Sequence, residues 1–155
     1  MYLGYSLISM TYPVLLILHL FAALIFIGTV FFEVLILESV RKRLPRTIMR
    51  EVEREVGNRA RKLMPWVLLV LYGAGIGLGW HYRGALAHPL AGSFGLLLWL
   101  KIVLAISVAG HFGTAMILRS RGQLRGRRSA VLHLSVFLHV VAIVLLAKGM
   151  FYLHW

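Results

Sequence analysis

The chain has no cysteine and no aspartate. Without cysteine there can be no disulfide, no thiolate metal site, no iron–sulfur cluster and no covalent haem held through a Cys-x-x-Cys-His motif. Acidic charge is scarce as well: five glutamates stand against seventeen Lys and Arg, a formal net charge of +12. In a soluble chain that balance would suggest nucleic acid, but here the placement of the charges argues against it. Nine basic residues (Arg41, Lys42, Arg43, Arg46, Arg50, Arg54, Arg59, Arg61 and Lys62) fall between the first two apolar runs. Five more (Arg119, Arg121, Arg125, Arg127 and Arg128) fall between the last two, and Arg83 alone lies in the middle connection. This asymmetry fits the positive-inside rule and contact with an anionic inner leaflet, with both basic loops cytoplasmic and both termini outside. No nucleic-acid partner is expected.

What is abundant is apolar. Hydrophobic residues make up 60% of the 155 positions, more than the surface of a soluble domain tolerates. Apolar runs cover about 12–37, 63–82, 94–118 and 130–153, each with the roughly 20 residues that cross a bilayer at about 1.5 Å per residue. The expectation is an all-α, integral membrane, antiparallel four-helix bundle forming one domain over 1–155. Residues 1–11 carry no charged leader or cleavage signal, so the first span is expected to be retained. Between the first two spans Leu44, Ile48, Val52 and Val56 repeat every four residues among charges. The segment 44–62 therefore reads as an amphipathic helix, either lying on the inner leaflet or extending span two.

Against this background four histidines stand inside the spans: His19, His81, His111 and His139. An imidazole in hydrocarbon is costly without a partner, so each is a functional candidate, the alternative being hydrogen-bonded glue between helices. Depth decides which could share a metal. Counted from the span midpoints, His19 lies about 8 Å and His81 about 13 Å toward the outside, His111 about 7 Å and His139 about 4 Å toward the cytoplasm. Two haem layers follow, with His111 and His139 as the inner axial pair and His19 and His81 as the outer. Gly73, Gly75, Gly77 and Gly79 in span two, and Gly110 and Gly113 beside His111, leave room for close helix packing or for a flat macrocycle; Gly77 and Gly110 are the candidates to line it. Lys101 and Lys148 lie in the outer halves of spans three and four; Lys101, the deeper, is placed to meet a haem propionate or an anionic substrate. His133, His88 and His154 are expected at the surface.

Copper is the alternative metal, since imidazole and thioether both suit it. Met150 and His154, spaced i, i+4 at the outer end of span four, would form that site with His81, His88 and, nearby, Met10.

Leu18-His19-Leu20-Phe21-Ala22-Ala23-Leu24-Ile25-Phe26-Ile27-Gly28, running on to Phe31-Phe32, resembles the opening helix of the CopD copper-resistance membrane family, with Phe26 where those proteins often have tryptophan. Trp99-Leu100-Lys101-Ile102-Val103, with His111 ten residues after the lysine, continues the likeness and also resembles HemJ-type protoporphyrinogen oxidases, small haem b membrane proteins. The resemblance singles out His19, Lys101 and His111. It departs from the HemJ pattern at Glu33, where those enzymes carry an arginine-containing stretch, and over Leu124–Ser129, which lacks their Asn-Glu-Pro segment. CopD membership implies copper handling, whereas the buried histidines argue for haem.

The resulting expectation is an inner-membrane b-type haem protein, with one or two haems, for electron transfer or oxidation of a quinone-like or external reductant. Its partners would be the bilayer, a quinone or redox protein, and a second copy of the chain. The alternatives are a copper-binding or copper-transporting protein and an accessory subunit of a respiratory complex. The charge asymmetry carries its own test. Reporter fusions after Ser39 and Arg125 should report cytoplasm and one near Ala87 the outside; an external signal from either basic loop would invert the topology.

Overall fold

The computed structural model describes residues 2–123 and 127–155, with side chains described over 11–123 and 129–155. The side chains of Met10, Arg125, Arg127 and Arg128 lie outside that description. All described secondary structure is helical. Four helices, Thr11–Arg41, Arg46–His81, Ser93–Ser120 and Ser129–Tyr152, are long and apolar enough to cross a membrane. The reason is that hydrocarbon offers no water to backbone N–H and C=O groups, so a spanning segment must satisfy them along its own axis. The chain divides into two compact units, Met1–Tyr82 and Arg83–Trp155, each an antiparallel helical hairpin.

In hairpin one, α1 (Tyr2–Phe31) continues through a π-helical turn (Phe32–Leu37) into α2 (Glu38–Arg41). At the end of the π turn the Glu38 N–H donates to the Glu33 carbonyl, five residues back. After a turn at 42–45, α3 (Arg46–His81) returns alongside. Its 36 residues absorb both the amphipathic segment and span two, with Pro65 inside the helix. Of the two readings of 44–62, the extension of span two is the one observed. The contact face differs from the four-residue repeat: Leu44 lies exposed in the turn and Ile48 is 51% exposed, while Met49, Gly57 and Met64 are buried. The neighbouring helix, not solvent, decides which stripe is covered.

Cross-helix contacts set the alignment. Tyr12 and Tyr82 share a hydrogen bond of 2.9 Å between their hydroxyls at one end. At the other, the Arg41 guanidinium bridges Glu38 and Glu53, with Nε 2.6 Å from the Glu53 carboxylate. Between them Leu15 fills the space over Gly77: a Cβ there would sit 2.8 Å from Leu15 Cδ1.

Hairpin two begins with α4 (Arg83–Ala87) and a 3-10 turn (Pro89–Ala91) folded onto the start of α5 (Ser93–Ser120). That fold-back needs Gly95, where a Cβ would lie 3.0 Å from the Ala85 carbonyl oxygen. The Trp99 indole N–H donates to the Leu86 carbonyl at 3.3 Å. Gly122, at φ +66°, ends α5 in the left-handed conformation, which a residue without a Cβ adopts at no steric cost. In α6 (Arg127–Tyr152), Phe151 meets Phe94 edge to face at 5.7 Å.

A β-branched side chain at Gly77 would overfill the seam with Leu15. Gly77→Val should lower the stability of hairpin one by about 1–3 kcal/mol, as core overpacking does. Leu15→Ala in the same chain should recover part of that loss in a reversible unfolding titration in detergent micelles. An uncoupled pair would mean that the two residues do not pack together.

Candidate functional site

A helical side chain leans back over the preceding turn, because each Cα–Cβ bond tilts toward the helix N-terminus. A histidine in α5 or α6 therefore has the carbonyl four residues earlier within reach. His111 Nδ1 lies 2.8 Å from the Ser107 carbonyl oxygen, and His139 Nδ1 lies 2.8 Å from that of Ser135. A carbonyl only accepts, so Nδ1 carries the proton in both rings. A neutral imidazole that donates from Nδ1 accepts at Nε2.

Each Nε2 then takes a hydroxyl from the facing helix. Ser135 Oγ donates to His111 Nε2 at 2.9 Å, and Ser107 Oγ donates to His139 Nε2 at 3.0 Å. The two rings lie side by side, centroids 5.1 Å apart and planes tilted by 55°. The result is a reciprocal clasp in which each helix supplies one serine and one histidine at i, i+4. The serines were not singled out from the sequence. Their signal was the repetition of Ser-x-x-x-His at 107–111 and 135–139.

In hairpin one His19 behaves differently. Its Nδ1 reaches across to the Leu71 carbonyl on α3, at 2.9 Å. The ring passes over Gly75, where a Cβ would stand 3.2 Å from Cε1 and 3.3 Å from Nδ1. Gly75 thus admits the imidazole, whereas Gly77, the candidate from the sequence, admits Leu15. His81 donates from Nδ1 to the Gly77 carbonyl at 2.9 Å, and its ring meets Tyr12 edge to face at 5.2 Å. His81 is therefore level with Tyr12, seven residues from His19 along α1, an axial offset of about 10 Å. The structure brings His111 and His139 together but not His19 and His81.

Gly110 and Gly113 face open space, with nothing within 4 Å of a Cβ placed there. Lys101 is half-buried on α5. Hairpin two contains no glutamate or aspartate at all, so no side chain of its own can neutralise that ammonium. Met150 is buried, while His154 is exposed beyond the end of α6 at Tyr152, so the i, i+4 face expected for copper is interrupted. His88 is exposed in hairpin two and His81 belongs to hairpin one. Among the described residues no group of three or more His, Cys, Asp or Glu is placed to hold a metal ion.

The donor chemistry fits a haem iron and the arrangement of the inner pair does not. Two axial nitrogens, each about 2 Å from one metal on opposite sides, would put the ring centroids roughly 6 Å apart with the macrocycle between them. Here the rings touch, and their Nε2 atoms point past each other to serines on opposite helices. Neither Nε2 can meet a metal without giving up its serine. That exchange is cheap, because cross-helix hydrogen bonds in membranes average about 0.6 kcal/mol.

Comparison of the chain with protein-family models, curated proteins and solved structures finds no match.

Ser107→Ala and Ser135→Ala should each weaken the pairing of α5 with α6 by about 0.6 kcal/mol, and by no more than about 1.7 kcal/mol. Nitrogen NMR of the imidazoles should still report protonated Nδ1 in both variants, because the backbone carbonyls remain. A switch of His111 or His139 to the Nε2–H form would show that the serines, not the carbonyls, set the tautomer.

Proposed function

We propose that the protein is a four-span inner-membrane redox protein binding b-type haem through Nε2 of intramembrane histidines. Both basic loops would lie in the cytoplasm and both termini outside. One observation carries the reading: His19, His81, His111 and His139 each have Nδ1 on a backbone carbonyl, at 2.8–2.9 Å. Metal-ligating histidines are held in the same manner, with the second nitrogen donating to a carbonyl or carboxylate, which fixes the tautomer and raises ligand basicity. The haem would supply one-electron chemistry between a quinone-like or external reductant and an acceptor.

The chain's own contribution is orientation and charge. The carbonyl bonds make Nε2 the unprotonated nitrogen of each ring, and in His111 and His139 it accepts a serine hydroxyl that a metal would have to displace. Ser107 and Ser135 satisfy His139 and His111 when no metal is bound, which offsets the cost of burying those two rings. The Lys101 ammonium, with no carboxylate in its own hairpin, would neutralise a propionate. Because the Nε2 atoms of His111 and His139 point to serines on opposite helices, each histidine would hold the iron on its own, not jointly with the other.

The reciprocal serine bonds favour a second reading, in which the clasp is packing glue in an accessory subunit. An optical spectrum with metal analysis of the purified protein separates the cases. Haem gives a Soret band and stoichiometric iron, copper gives bound metal without that band, and glue gives neither. On the haem reading, His111→Ala should lower haem content at least twofold and His133→Ala should leave it unchanged. Parental spectra in both His111→Ala and His139→Ala would end the assignment of ligands to hairpin two.

A further inference from the structure

The charged end of hairpin one is longer than a membrane needs. With Glu33 placed at the headgroups, four residues short of the end of the apolar run at Leu37, the stretch from Tyr12, level with Tyr82, to Phe32 rises about 30 Å, the thickness of the hydrocarbon core. Opposite Phe32 on α3 stands Lys62, placed there by the alignment of Tyr12 with Tyr82 and of Arg41 with Glu53. From Lys62 back to Arg46 the helix rises about 24 Å more. The headgroup layer takes up only about 5–7 Å of that. With that placement the turn at 42–45 and the start of α3 would stand roughly 17 Å beyond the headgroups, about two Debye lengths at physiological salt.

The stalk is braced from within. Arg41 ties α2 to Glu53 of α3, while Leu37, Met49 and Gly57 are buried along the seam. The tip is ordered by its own backbone: the Arg43 and Leu44 N–H groups donate to the Val40 carbonyl, and that of Met49 to the Pro45 carbonyl.

Its charges are sorted. Glu38 and Glu53 are taken by Arg41, and Glu51 and Glu55 by Arg54. Lys42, Arg43, Arg46 and Arg50 have no carboxylate partner among the described residues, and all four are exposed. Between them lie exposed Leu44, Pro45 and Ile48. An apolar centre ringed by unneutralised cations, too far out to reach lipid phosphates, has the composition of a protein-docking surface.

We infer that the tip of hairpin one, built from Lys42, Arg43, Leu44, Arg46, Ile48 and Arg50, docks the acidic face of a soluble protein on that side of the membrane. The basic residues at the membrane surface, Arg59, Arg61 and Lys62, meet the anionic lipid instead. This inference is independent of what the histidines bind.

The test uses the full chain in nanodiscs. Because the chain has no cysteine, Arg43→Cys and Arg61→Cys each give a unique site for a spin label. In discs containing phosphatidylglycerol, the label at 43 should be relaxed by a water-soluble nickel chelate as fully as in zwitterionic discs, and the label at 61 should show the signature of the interface. With polyglutamate as probe in zwitterionic discs, Lys42→Gln/Arg43→Gln/Arg46→Gln should weaken binding at least tenfold. Arg59→Gln/Arg61→Gln/Lys62→Gln should change it less than threefold. A bilayer signature at 43, or parental polyglutamate binding by the tip variant, would overturn the inference. Binding of duplex DNA that persists at a salt concentration abolishing polyglutamate binding would reassign the tip to nucleic acid.

Discussion

An imidazole N–H donating to a backbone carbonyl, in a medium without water, is the contact on which the chemistry of both hairpins depends. Helical carbonyls are already used once, by the N–H four residues on, yet an oxygen has a second lone pair. In α5 and α6 the second lone pair lies under the histidine that follows by four residues. In hairpin one it is reached from the other helix, because Gly75 leaves the Leu71 carbonyl uncovered. The same bond thus arises from helix geometry in one hairpin and from a missing side chain in the other. In both it decides which nitrogen remains basic, and every proposed ligand role rests on that decision.

The two hairpins divide the chain's chemistry unequally. All five glutamates belong to hairpin one, where Arg41 and Arg54 use four of them at the charged end. Hairpin two has only cations and imidazoles among its ionisable side chains, apart from Tyr152. Its interior must therefore be kept neutral by hydroxyls and carbonyls. This is why serine, a weak and readily exchanged partner, appears where a carboxylate would hold an imidazole far more firmly.

Much of this could be read from the residues alone. Four apolar runs of spanning length become four long helices, and counting rise per residue puts His111 and His139 at one depth. What counting could not supply was direction. A shared depth says nothing of whether two rings face one metal or reach past each other, and that depended on Ser107 and Ser135, which look like neutral filler in an apolar run. A glycine in a span marks a vacancy but not its occupant: Gly77 holds Leu15 and Gly75 holds His19. Depth counted from the midpoint of each apolar run pairs His19 with His81. The level of each residue is set instead by what faces it across the hairpin, Leu71 for one and Tyr12 for the other.

The clasp also discriminates between ways of assembling hairpin two. Helices enter a bilayer as separately stable rods, and aliphatic surfaces slide past one another with little preference. The observed contacts set Ser107 against His139 and His111 against Ser135. Moving α6 by one turn in one direction would leave His111 facing Val131 and His139 facing Val103. Moving it the other way would set histidine against histidine and strand the serines opposite Ala115 and Ile143. Either slip strands polar groups in hydrocarbon, at a cost that falls on both sites at once. Four short side chains thereby proofread the pairing of two otherwise greasy helices, whatever the histidines later bind.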